Sequence, residues 1–110
     1  MEDNIMASNE AVANHNFSTT FWMDFSIADR FGVKAVKDTY HRAFKAWKHD
    51  YRYLTDLVIV LNHKIWQHYD DGKGNQVLAK CYDELWKKAD AYAVKHLKDE
   101  EAKYFFEMTD

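Results

Sequence analysis

Basic side chains recur at helical spacing within residues 34–52, a pattern typical of a surface that binds anions. Their separations of 3, 4, 4, 3 and 4 residues place them on one side of an α-helix. The members of this basic stripe are Lys34, Lys37, His41, Lys45, Lys48 and Arg52. Such a surface can bind a phosphate backbone or an acidic protein. The alternative is a solvated helix face that binds nothing, with lysine stems covering apolar neighbours.

The charge of the chain is unevenly distributed along the sequence. Residues 33–53 carry six Lys or Arg and two Asp, which gives a local charge of +4. The whole chain has a net charge of −3, so the remaining residues together carry −7. The basic stripe is therefore a concentrated positive region on an acidic protein.

The six histidines do not have the spacing of a metal site. No two of them stand four residues apart. Two pairs, Asp38 with His41 and His68 with Asp71, have a spacing of three residues. Di-iron bundles use Glu-x-x-His twice with two further glutamates, whereas here the acids are aspartates and the second pair is reversed. We predict no metal ligands and no cofactor.

The sequence also lacks a recognisable catalytic arrangement. Cys81 has Val77 and Leu85 at helical spacing, which favours a buried, inert thiol. The segment Gly72-Lys73-Gly74 lacks the spacing of a phosphate-binding loop. We therefore predict no catalytic residues and a non-enzymatic protein, and a small enzyme is the third alternative.

Trp66 is a candidate contact residue outside the basic stripe. It follows Ile65 in a segment whose apolar stripe already passes through Leu61, Ile65 and Tyr69. We expect Trp66 to lie at the edge of the core, where a partner can cover it. The alternative is that it anchors its helix in the core, as we expect of the other three tryptophans.

Helical periodicity divides the chain into four long segments and a short one. The predicted helices cover about residues 18–31, 33–49, 51–69 and 76–97, with a short helix after residues 98–101. Gly32 is expected to end the first helix and Asn75 to cap the fourth. Residues 70–75 form the clearest predicted loop. The predicted fold is all-α, a small bundle of four to five helices.

The apolar rhythm from residue 33 to 69 leaves two interpretations open. One continuous helix of 37 residues would be roughly 55 Å long, which is awkward in a domain of this size. We favour a break near His49 and Asp50, with Asp50 as the N-cap of a separate helix.

The predicted domain organisation is a flexible tail, residues 1–17, followed by a single helical domain, residues 18–110. Its predicted core residues are mostly apolar side chains on the helical stripes. They are Phe25, Val36, Tyr40, Trp47, Leu54, Val58, Leu61, Leu85 and Ala89.

Composition favours a reducing, cytoplasmic location. A single cysteine excludes an internal disulfide. The longest strongly apolar run, residues 57–61, is too short to cross a bilayer, so no membrane partner is expected. The 18 aromatic residues are many for a small helical core, which predicts a partner or a homodimer that covers some of them.

Two segments resemble small uncharacterised proteins of bacterial phages and conjugative or mobile elements. They are residues 19–32 (TTFWMDFSIADRFG) and residues 53–66 (YLTDLVIVLNHKIW). The resemblance covers about residues 19–110 and brings no active site. It implies an accessory or inhibitor protein that acts by binding.

The sequence thus predicts a non-enzymatic protein that binds a protein partner through a helical surface. The alternative is a nucleic-acid-associated accessory protein that uses the basic stripe.

Overall fold

The computed structural model describes residues 18–70 and 75–109, and the regular secondary structure in these ranges is helical throughout. The helices are α1 (18–29), α2 (Val33–Trp47), α3 (Tyr51–Asp70), α4 (Gln76–His96) and α5 (Asp99–Thr109). The all-α prediction is confirmed. The predicted tail, residues 1–17, and residues 71–74 of the predicted loop lie outside the described residues.

The break between α2 and α3 lies where it was predicted. The Oδ1 atom of Asp50 accepts the backbone N–H groups of Arg52 at 3.1 Å and Tyr53 at 3.4 Å. This N-cap satisfies donors that have no partner within the new helix. α2 ends at Trp47, two residues earlier than predicted. Asn75 caps α4 in the same way, since its side chain accepts the N–H of Leu78.

The turn between α1 and α2 depends on Gly32, which has a φ of 101°. The backbone N–H groups of Phe31 and Gly32 both donate to the carbonyl of Ala28, at 2.9 and 3.2 Å. α1 therefore ends at residue 29, and residues 30–31 form a turn where helix was predicted. A positive φ is easily adopted only by glycine, so a side chain at position 32 would strain this turn.

α3 and α4 form the central pair of the bundle, and α2 and α5 pack against both of them. α1 runs beside α3 in the same direction, because Ser18 lies near Asp56 and Asp29 lies near His68. The predicted core is buried except at Trp47, which is only half-buried because it lies at the end of α2. Within the described ranges, no helix is both long and apolar enough to cross a membrane.

Candidate functional site

The basic stripe lies along α2 and the start of α3, and most of it is exposed. Lys34, Lys37, His41 and Lys45 are exposed. Lys34 Nζ pairs with Asp38 Oδ2 at 2.9 Å, and this contact holds the pKa of Asp38 below its usual range. Both groups face solvent, so the pair contributes little to stability.

The other two members of the stripe, Lys48 and Arg52, are half-buried. Lys48 Nζ lies 5.9 Å from the centre of the Phe44 ring. The Arg52 guanidinium lies 5.6 Å from the Tyr51 ring, and its Nε donates to the Tyr51 hydroxyl at 3.2 Å. Long basic side chains commonly pack their stems on aromatic neighbours in this way.

α4 adds cations to the same side of the molecule. The rings of Phe44 and Tyr92 meet edge to face, with their centres 5.0 Å apart, so this side of α4 faces α2. Lys88 and Lys95 stand four residues before and three after Tyr92, which places them on that side, and both are exposed. Sequence periodicity within one helix could not identify them, because their position depends on how α4 packs.

We call the combined surface the α2–α4 basic face. Its members are Lys37, His41, Lys45, Lys48, Lys88 and Lys95. Within the described ranges, Lys37, Lys45 and Lys88 form no ion pair with a carboxylate. Glu84 is an acidic residue in the same region, since it acts with Lys37 and Lys88 on the Cys81 thiol. Burial is the main cause of the raised pKa of Cys81, which agrees with an inert thiol.

Lys64 lies inside the bundle, where the sequence analysis did not predict a charge. Its side chain is fully buried, and its Nζ lies 2.7 Å from Asp29 Oδ2. It also donates to Ser26 Oγ at 3.1 Å and to Gln67 Oε1 at 2.7 Å. The Trp22 ring centre is 4.5 Å from the same nitrogen. The ammonium group thus has three oxygen partners, which is the condition for burying a charge.

Asp29 connects Lys64 to two further side chains. Its Oδ1 accepts the Tyr82 hydroxyl at 2.5 Å, and its Oδ2 lies 3.1 Å from His68 Nε2. The rings of His68 and Tyr82 are stacked with their centres 5.5 Å apart. Burial, together with the hydrogen bond to Asp29, raises the pKa of Tyr82 above its usual range. The phenol therefore stays protonated and donates to the carboxylate.

We call the polar groups around the fully buried Lys64 and Tyr82 the buried polar cluster, although Gln67 at its edge is exposed. The cluster joins three helices, since its members come from α1, α3 and α4. They are Ser26, Asp29, Lys64, Gln67, His68 and Tyr82. These groups are hydrogen-bonded to or ion-paired with one another, and these contacts hold α1 in register with the central pair, α3 and α4. One sequence signal was available: Lys64 and His68 continue the buried row of Leu57 and Val60 at helical spacing.

Asp56 is a second carboxylate inside the bundle, and it has fewer hydrogen-bond partners than Asp29 has. It is 5% exposed, and burial is the main cause that raises its pKa to about 6. A hydrogen bond from Ser18 lowers the pKa, and the charge of Asp50 raises it. In the described part of the chain, its Oδ2 has no hydrogen-bond partner. An ionised carboxylate in this position costs stability.

We expect Asp56→Asn to stabilise the protein by about 2 kcal/mol at pH 8, with a smaller gain at pH 4.5. The pKa of Asp56 in the folded protein, about 6, exceeds the ordinary value of 3.8, so folding favours the protonated carboxyl. The stability that this preference contributes is lost as the pH rises from 3.8 to about 6. Urea unfolding at both pH values measures the gain. Glu107→Gln, at an exposed position on α5, is the control. An equal gain at both pH values would contradict this explanation.

Trp66 is 56% exposed, at the edge of the bundle as predicted, and its ring centre lies 6.2 Å from that of Tyr69. It lies on α3, and among the residues described here by the structure no ring or polar contact joins it to the α2–α4 basic face. Among the residues described, no group of three His, Cys, Asp or Glu side chains is placed to hold a metal ion.

Comparison with protein-family models, curated proteins and solved structures finds no match for this chain. The resemblance to proteins of phages and mobile elements therefore stays a prediction.

Proposed function

We propose that this is a non-enzymatic binding protein whose α2–α4 basic face binds an acidic surface on a protein partner. The observation that carries this proposal is the position of Lys37, Lys45 and Lys88. These lysines are exposed, and in the described ranges they form no internal ion pair. An accessory or inhibitor protein of a phage or mobile element would use such a surface on a host protein.

Electrostatics support an acidic partner. The chain is acidic overall, so its remaining surface repels an acidic protein, and attraction is confined to the basic face. A partner that approaches this face is oriented before contact, which raises the association rate more than the final affinity. We expect the interaction to weaken with salt, because exposed charges are screened over about 10 Å at 0.1 M salt.

The second candidate is a nucleic-acid-associated accessory protein, which the number of exposed cations favours. One feature favours the protein partner instead. The rings of Phe44 and Tyr92 pack edge to face and are half-buried, so they do not form the open stacking platform typical of single-strand binding.

The test compares wild type with a triple variant, Lys37→Glu, Lys45→Glu and Lys88→Glu, as bait in bacterial lysate. The matched control, Arg30→Glu, Lys98→Glu and Lys103→Glu, makes the same charge change at exposed positions outside the face. We expect each exchange to alter stability by only about 0.5 kcal/mol. Wild type and control should retain the same acidic protein in nuclease-treated lysate, and the triple variant should lose it.

Nuclease treatment separates the two candidates. If proteins are retained only in untreated lysate, and purified wild type binds duplex DNA with steep salt dependence, the nucleic-acid alternative is correct. Retention of the same protein by all three baits at equal affinity would show that the basic face is only a solvated surface of α2 and α4 and does not bind the partner.

A further inference from the structure

An exposed apolar stripe runs along α1 and into the following turn. Met23 is 55% exposed, Ile27 is 53% exposed and Phe31 is 77% exposed. Their spacing of four residues places them on one side, and the α3 side of the helix is occupied by Trp22, Ser26 and Asp29. Such a row of three large, exposed apolar side chains, two on α1 and one in the turn, is typical of an interaction surface.

Beside this stripe, a groove of about 330 Å³ separates α1 from α2. Ala28 and Ala35 line it, and their small side chains leave room between the two helices. Ile27 and Phe31 also line the groove. Its charged lining groups have both signs, and they are Asp24, Asp38 and Arg42.

We propose that this α1–α2 groove is a homodimer interface, in which Phe31 of each chain enters the groove of a second copy. A two-fold contact brings the same patch together with itself, so the patch must be complementary to itself. In this patch the exposed Phe31 ring lies beside the groove, so each copy can insert its Phe31 into the groove of the other copy. Arg42 of each copy can also meet an acidic group of the other copy across the two-fold axis.

The charges that line the groove favour a second copy of this chain over a partner whose surface carries only one sign of charge. The α2–α4 basic face would repel itself in a two-fold contact, whereas the mixed charges of the groove do not. Lys37 and Lys48 lie on the α4 side of α2, and the groove lies on its α1 side, so both surfaces can be occupied together.

The amount of exposed apolar surface fits a dimer contact. Met23, Ile27 and Phe31 leave on the order of 350 Å² of side chain exposed, nearly half of the roughly 800 Å² that each partner buries in a standard interface. The flanking charged residues and the alanines of the groove can supply the rest.

Sedimentation equilibrium of the full chain tests the dimer. We expect wild type at tens of micromolar to show twice the chain mass of 13.1 kDa. Ile27→Ser with Phe31→Ser should raise the dissociation constant at least 100-fold and leave the helical circular dichroism unchanged. The control, Val77→Ser with Val94→Ser, changes two exposed apolar residues on α4 and should still dimerise. A monomeric wild type, or a double variant that dimerises like wild type, would overturn the proposal.

A cysteine at the stripe tests the position of the contact. Cys81 is buried, so an added thiol is expected to react in its place. Under mild oxidation, Ile27→Cys should form a covalent dimer much faster than Val94→Cys, and equal rates would refute this interface. The triple variant Lys37→Glu, Lys45→Glu and Lys88→Glu should remain dimeric, so loss of partner binding and loss of the dimer are separately measurable.

Discussion

Asp29→Ala is expected to lower the free energy of unfolding by about 3–5 kcal/mol. The substitution removes the carboxylate that faces Lys64 Nζ at 2.7 Å and leaves a fully buried ammonium without a counter-charge. It also removes the nearer of the two acceptors of the Tyr82 hydroxyl, the other being the Phe25 carbonyl at 3.3 Å, and it removes the contact with His68 Nε2. Urea unfolding at pH 7 gives the measurement, and Glu107→Ala at an exposed position on α5 is the control.

A double variant shows whether the buried charge causes this loss. Asp29→Ala combined with Lys64→Met removes both charges and leaves an apolar side chain of similar length. We expect it to be more stable than Asp29→Ala alone, because no unpaired charge stays in the core. The single variant Lys64→Met is measured as well. If the losses of the two single variants simply add in the double variant, Asp29 and Lys64 do not interact, and the assignment of the buried polar cluster is wrong.

Leu61→Ala is expected to cost about 2–5 kcal/mol. Leu61 is fully buried on α3, which belongs to the central pair of the bundle. Its truncation loses the transfer free energy of the removed atoms and leaves a cavity that the packed helices only partly fill. Denaturant unfolding measures the loss, and Val94→Ala, at a half-exposed position, should change stability by under about 0.5 kcal/mol. A similarly small change for Leu61→Ala would mean that the core is misplaced.

The two variants also test how the fold supports the proposed surfaces. Asp29 holds α1 against α3, and α1 carries Ile27 and Met23 of the proposed dimer contact. Asp29→Ala should therefore weaken dimer formation as well as stability. The α2–α4 basic face depends instead on the contact of Phe44 with Tyr92, which lies away from the buried polar cluster.

Residue types and their spacing along the chain predict the helices, the N-caps Asp50 and Asn75, and most of the core. The cap bonds of Asp50 and Asn75 join residues at most three positions apart, so residue type and spacing are enough to predict them. Burial of Leu54, Val58 and Leu61 follows from the apolar period of one helix. The basic stripe is predictable for the same reason, because its spacing is a property of a single helix.

The contacts between side chains of different helices could not be predicted in this way. The contacts of Lys64 with Ser26, and of Asp29 with His68 and Tyr82, span 38, 39 and 53 residues. Helical periodicity predicts that the side chain at position 64 faces the core, but it does not predict which polar groups surround the ammonium group of Lys64 there. Likewise, Lys88 and Lys95 join the basic face because of the way α4 packs on α2. The groove between α1 and α2 is lined by Ala28 from one helix and Ala35 from the other. Such pairings depend on how the helices pack, a property of the whole chain that the pattern of a single segment does not contain.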